Sequence, residues 1–240
     1  MKILLMFVLI NMSVALCIRM VWLGTLKISK EDVKGNTAIL VAGMFNQAGT
    51  AYSLLDLPDT YEYATANFSN LGFNASFAGL WLRIIAKDKP IFGISIGAKV
   101  AAYSGTRQAV LINPCVYPAT LKSSLYWPIK IFSPILEIIS VVLGLLAFLP
   151  IIPTGIAGNY SITLLADQLF WIGYGNPKVS ENAKYGIVLS NKDEFLDNTK
   201  IIKKIPSCYT ECIDTMHGRT ADPEVSYQYS RAINHLQIPS

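Results

Sequence analysis

Pro90-Ile91-Phe92-Gly93-Ile94-Ser95-Ile96-Gly97-Ala98-Lys99-Val100-Ala101-Ala102-Tyr103-Ser104-Gly105 is the stretch whose reading decides the fold. Ile91–Ile94 is a short apolar run behind Pro90 with no helical stripe, so it reads as a buried strand. Ala98–Tyr103 are good helix formers, and Gly105 is placed to stop the helix. Between them stands Gly93-x-Ser95-x-Gly97, the pattern in which a serine rides a sharp strand-to-helix turn. Such a turn strains the backbone and leaves no room for a Cβ on either side, which accounts for both glycines. It pushes the Ser95 hydroxyl out above the sheet and points the Ile96 N–H, at the helix N-terminus, toward developing negative charge. Taken alone, the pattern also fits a tight glycine turn with a serine N-cap. The rest of the chain has to decide.

Working outward, Thr37–Ala42 is apolar on both faces, as in the middle of a parallel sheet, and runs into a loop from Gly43 to Gly49. Asp59–Asn70 reads as a helix, Phe73–Phe77 as a strand and Leu80–Ala86 as a short helix. Ala109–Ile112 is a further buried strand, and Tyr185–Leu189 another, ending in Ser190-Asn191-Lys192-Asp193. Tyr209–Ile213 reads as the last strand, leading into Asp214-Thr215-Met216-His217-Gly218. Asp222-Pro223-Glu224 then starts a closing helix with a cap, a first-position proline and an acid. This alternation predicts an α/β fold with a mainly parallel sheet flanked by helices.

The length of 240 residues suits one domain, here 27–240. Hydrophobic residues make up 52% and charged ones 15%, and the apolar excess concentrates in Ile3–Ile18 and Ile131–Ile152. Lys2 followed by Ile3–Ile18 reads as a signal sequence, and residues 1–26 would be uncleaved anchor if Arg19 snorkels and the run continues through Val21-Trp22-Leu23. Either implies an exported or membrane-associated protein. A buried first helix or strand is the plainer alternative. The lysines are scattered and the net charge is +4, so no nucleic-acid partner is indicated. Cys17, Cys115, Cys208 and Cys212 lack metal-ligand spacing, and no metal or organic cofactor is implied.

The order Ser95, Asp193, His217, each after its own strand, resembles the α/β-hydrolase superfamily from about Thr37 to the C-terminus. The resemblance implies a serine hydrolase cleaving carboxylic esters, in which Ser95 attacks, His217 relays the proton and Asp193 orients the imidazole. It also implies an oxyanion hole from the N–H groups of Ile96 and Met44. Asp197, four residues beyond Asp193, stays open as the acid, and either could instead cap the following helix. His235, beside Leu236 on the closing helix, suits a surface or packing role. Two features depart from the family: Ala42-Gly43 stands where His-Gly is often found, and the segment before Ser95 is compressed.

In this superfamily an insertion after the strand that follows the nucleophile helix usually forms a cap. The corresponding segment here, about 117–182, carries a single charge (Glu137) between Ile131 and Ile152, with Pro134 and Pro150. Three readings follow: an apolar lid that lines an acyl pocket or meets a lipid surface, cap helices burying one another, or a spanning segment. The expected substrate is an ester or lipid-like small molecule with an apolar acyl chain. Membrane contact would run through the N-terminus and the cap. The rivals are an acyltransferase or thioesterase using the same acyl-enzyme, and a non-catalytic membrane-associated interaction protein that kept the fold.

Overall fold

A computed structural model describes residues 6, 26–28, 33, 35–44, 48–68, 73–86, 88–146, 160–179, 183–205 and 209–236 of the protein. The N-terminal apolar run, the Cys17 and Cys208 positions, and the end of the Ile131–Ile152 run lie outside the described residues. Among the described residues seven strands form one sheet: β1 (Leu26–Lys27), β2 (Thr37–Val41), β3 (Glu62–Phe68), β4 (Ile91–Ile94), β5 (Gln108–Ile112), β6 (Lys184–Ser190) and β7 (Tyr209–Ile213). Their order is β1-β3-β2-β4-β5-β6-β7; β2 to β7 pair in parallel, and β1 joins the edge antiparallel.

The central strands are buried on both faces, and their residues alternate between two cores. Ile39, Val41, Ile91, Leu111, Ile187 and Leu189 point into one. Ala38, Leu40, Phe92, Ile94, Val110, Ile112 and Val188 point into the other. This period of two is what pleated strands impose. The first core is covered by α2 (Ala75–Ala86) and α3 (Ile96–Ser104), the second by α1 (Ala48–Ala51) and α7 (Ser226–His235).

Four sequence expectations fail here. Residues 62–68, inside the expected helix Asp59–Asn70, are strand β3, with Ala64 and Ala66 on its buried side. Alanine favours helix intrinsically, but parallel pairing with β2, from Thr37 opposite Glu62 to Val41 opposite Ala66, overrides the preference. Phe73–Phe77 is not a strand but the entry to α2. Its start is fixed by Asn74, whose Oδ1 accepts from the N–H groups of Ser76 and Phe77 at 3.1 Å each. The segment before Ser95 therefore holds a full helix of 12 residues and is not compressed. The closing helix begins at Ser226 rather than Asp222, which instead caps the preceding turn by accepting from Glu224 N–H.

Between β5 and β6 lie α4 (Ser123–Leu146) and α5 (Tyr160–Tyr174), which pack antiparallel, so that a Cβ on Gly173 would come within 3.0 Å of Ile129. Pro134 inside α4 has no N–H for the carbonyl of Lys130 one turn back. The Tyr174 hydroxyl donates to that carbonyl at 2.7 Å and repairs the gap. The α6 helix (Asn198–Lys204) follows β6.

The base of the α4–α5 pair is tied to the sheet on both sides. Beside β6, Lys122 N–H donates to Phe195 C=O at 3.0 Å, and Asp197 N–H donates to Thr120 C=O at 2.8 Å. On the other side Lys99 of α3, completely buried, sends its ammonium to the carbonyls of Trp171 at 2.6 Å and Gly175 at 3.1 Å, at the end of α5. Tyr103, one turn on, accepts Asn176 N–H at 2.9 Å. A cation at a helix C-terminus meets the negative end of the dipole. Burial nevertheless brings the Lys99 ammonium down from 10.5 to about 8, outweighing the opposing pull of Cys115.

Two outcomes are expected. A Cβ on Gly97 would lie 2.5 Å from the carbonyl oxygens of both Val41 and Ala42, so Gly97→Ala should destabilise the fold by about 3 kcal/mol in urea unfolding. For Lys99, the unfolded chain holds its proton up to 10.5 while the folded chain releases it near 8. The unfolded state binds more protons in that window, so stability rises with pH there. Relative to Lys99→Met, the wild type should gain on the order of 3 kcal/mol between pH 8 and 10.5. A flat difference across that window would exclude a depressed Lys99.

Candidate active site

Ser95 stands between β4 and α3 with φ 52° and ψ −112°, a positive-φ conformation that costs a non-glycine residue on the order of 1–3 kcal/mol. The flanking glycines make it sterically attainable. A Cβ on Gly93 would lie 2.8 Å from Ala98 N and Cα, and one on Gly97 would strike the end of β2. The backbone is fastened on both sides, since Ser95 N–H donates to Ile112 C=O at 2.9 Å and Ser95 C=O accepts Cys115 N–H at 3.1 Å. Cys115 is itself buried, and burial raises its thiol.

The loops after β6 and β7 bring two further side chains to this point. His217 Nε2 lies 2.9 Å from Ser95 Oγ, and His217 Nδ1 lies 2.6 Å from Asp193 Oδ2. The partners assign the tautomer: Nδ1 carries the proton toward the carboxylate, leaving Nε2 to accept from the serine. The other carboxylate oxygen, Asp193 Oδ1, accepts the N–H groups of Phe195 and Leu196 at 2.8 Å each. Asp193 is buried, while the imidazole keeps a small exposed edge. Asp197 does not join them. It caps α6, accepting from the N–H groups of Thr199 and Lys200. The Thr199 hydroxyl and then Lys200 hold its carboxyl down at about 2.

Ile96, the first residue of α3, is fully buried, and first-turn N–H groups have no acceptor within their own helix. Gly43 follows β2 so closely that a Cβ there would stand 3.4 Å from Ser95 Cβ, which puts the Gly43 backbone beside the serine. Residues 45–47 of that loop lie outside the described residues. His235 sits on α7, away from this cluster.

Several supporting residues carry no sequence signal of their own. Tyr229 of α7, fully buried, donates its hydroxyl to Met216 C=O at 3.1 Å and meets Ser190 Oγ at 3.0 Å. Asn113, at φ 43°, donates to Tyr229 Oη at 3.1 Å and accepts Ser190 N–H at 2.8 Å. This network fixes the residues just before His217 and at the end of β6. Burial raises the Tyr229 phenol, so it remains a neutral donor. Glu194 accepts His217 N–H at 3.0 Å, and the Phe195 ring meets the imidazole edge-on at 5.2 Å between centroids. Lys122 Nζ donates to Asp193 C=O. Such side chains become visible only when distant segments meet.

No family model and no curated protein matches the sequence. Solved structures do match in fold. An esterase from Thermogutta terrifontis superposes with a TM-score of 0.56 at 13% identity, covering 88% of this chain and 91% of that one. The NocB thioesterase domain gives 0.55 at 15% identity, over 88% of this chain and 98% of its own. A lipase-esterase related protein from Clostridium acetobutylicum gives 0.54 at 13% identity, over 88% and 99%. With this strand order, a serine at the β4–α3 turn and this set of structural neighbours, the chain has the α/β-hydrolase fold.

Proposed function

We propose that the protein is a serine hydrolase that cleaves carboxylic esters with an apolar acyl chain. The observation that carries this reading is Ser95, held in a strained turn with its Oγ 2.9 Å from an imidazole whose far side rests on a buried carboxylate. A strained backbone and a buried carboxylate beside a histidine are costly features that cluster at functional sites. In the proposed reaction Ser95 Oγ bonds to the ester carbonyl carbon while its proton passes to His217 Nε2. Asp193 holds the imidazole and stabilises its cation. The oxyanion is received by the N–H groups of Ile96 and Met44. Collapse breaks the carbon–oxygen bond to the alcohol, which leaves with the proton from His217. Water, deprotonated by the same nitrogen, then releases the acid and restores Ser95.

The apolar acyl group is argued from the partly buried side chains packed against the first core, including Met44 after β2, Tyr126 and Ile129 of α4 and Leu164 of α5, which offer carbon surface rather than hydrogen bonds. Thioesterase domains among the neighbours support a second reading, a thioester in place of the oxygen ester, with identical chemistry up to the leaving group. Export or membrane attachment through residues 1–26 is part of the proposal and is argued from their apolar run alone.

A fluorophosphonate probe should label the wild type and fail on Ser95→Ala and His217→Ala. With p-nitrophenyl esters, Asp193→Asn should lower kcat by roughly 10³–10⁴, because the amide favours the wrong imidazole tautomer. Butyrate or longer chains should surpass acetate in kcat/KM. Labelling that survives Ser95→Ala, or folded protein that is never labelled, would overturn the assignment and favour a non-catalytic interaction protein.

A further inference from the structure

The α4–α5 pair has its polarity reversed. The outer side of α4 carries Trp127, Ile131, Phe132, Ile135, Ile138 and Ile139, between 46% and 65% exposed. They recur every three or four residues, so they form one stripe along the helix. Polar groups lie inside. Ser133 of α4 and Gln168 of α5 are buried at 1% and 0% exposure, and neither side chain has a hydrogen-bond partner among the described residues. Glu137, one turn beyond Ser133, keeps a carboxylate oxygen buried, and Asp167 is buried and accepts Phe73 N–H at 2.8 Å.

A helix pair surrounded by water places these groups the other way round. Burying an unpaired amide while leaving six large apolar side chains outside is unfavourable on both counts in water. In hydrocarbon the same arrangement is the favourable one, because apolar side chains face lipid while polar ones turn toward the neighbouring helix.

The base of the pair is marked in the same sense. Tyr126 and Trp127 of α4 pack edge-on, Phe170 and Tyr174 of α5 stack at 5.0 Å, and the Lys130 ammonium sits 4.1 Å above the Tyr174 ring. An aromatic belt with lysine beside it belongs to the headgroup level of a bilayer. Lys130 in this belt would meet anionic headgroups. Beyond the belt, α4 continues as Ile131–Leu146 with Glu137 as its single charge.

We infer that the α4–α5 pair docks this protein on an anionic lipid bilayer, the outer stripe of α4 from Ile131 to Ile139 lying among the acyl chains and the Tyr126–Trp127–Lys130–Tyr174 belt at the headgroups. This is insertion from one side. Among the described residues no helix is long and apolar enough to cross a membrane. The inference rests on the exposure pattern and does not require Ser95 to be catalytic.

The test uses the full chain, purified in detergent and exchanged into vesicles of phosphatidylcholine with or without a quarter phosphatidylglycerol. The wild type should bind the anionic vesicles, and acyl-chain-brominated lipid should quench the part of the tryptophan emission that Trp127→Phe removes. Ile135→Asp with Ile138→Asp should weaken vesicle binding at least tenfold while fluorophosphonate labelling in detergent is retained. That retained labelling separates failure of docking from failure of the hydrolase reading. If labelling is absent throughout, near-ultraviolet circular dichroism reports whether the variant is folded. Unchanged binding with an unquenched Trp127 would overturn the inference and leave the attachment to residues 1–26. A dimer in detergent-free buffer that the double variant dissociates, without vesicle binding by the wild type, would also overturn it and assign the stripe to a second copy.

Discussion

The tight contact between the first turn of α3 and the end of β2 is the constraint on which the rest depends. Gly97 leaves room for the Val41 and Ala42 carbonyls to approach, and Gly93 does the same for Ala98. Without those two missing side chains, α3 could not start where it does, and Ser95 would have no reason to occupy φ 52°. The strain is sustained by what surrounds it: a strand paired on both sides, and hydrogen bonds from Ser95 to Ile112 and from Cys115 to Ser95. Rigid scaffolding of this kind holds a residue where its own backbone preference would not.

Sheet order does the remaining positioning. In a parallel sheet all the strand C-termini emerge on one edge, so the loops after β2, β4, β6 and β7 converge there although 43 and 217 are far apart in sequence. Convergence alone does not fix an imidazole to within hydrogen-bonding distance of a hydroxyl. Tyr229 and Asn113 supply that restraint by joining Ser190 to the Met216 carbonyl, and the backbone N–H groups of Phe195 and Leu196 hold the Asp193 carboxylate. The cluster is built on element ends and held by buried, satisfied polar groups.

Which parts were legible in the sequence follows from how local their cause is. The Gly93–Gly97 turn is written in five consecutive residues, and the all-apolar strands β2, β4, β5 and β6 announce burial on two faces. Histidine and aspartate after late strands were readable because so few such residues follow a buried run. The choice between Asp193 and Asp197 was not, since both begin loops near a helix start, and only the hydrogen bonds to His217 and to Thr199 separate their places. Strand β3 was misread because alanine on its buried side gives little hydrophobic contrast, and its pairing partner lies 25 positions away in the register Thr37 to Glu62. Lys99 is the clearest silent residue. A lysine between alanine and valine on a helix suggests a solvated side chain, and nothing local announces that the end of α5 will cover it.

That lysine bears on how the insertion works. Its ammonium is completely buried and tied to carbonyls at the end of α5, only four residues from Ser95 in sequence, while Lys122 ties the start of α4 to the Asp193 loop. Releasing either tie would leave a buried charge or carbonyls without partners, which is costly enough to make the base a poor hinge. The base of the pair therefore moves with the serine and the acid rather than swinging across them. For the proposed bilayer docking this has a structural consequence. A hairpin clamped at its base transmits its own orientation to the body, so the depth at which the Trp127–Tyr174 belt rests would set the height of Ser95 above the lipid. An apolar acyl chain rising from that surface would then reach the side chains at the base of the insertion without first crossing water.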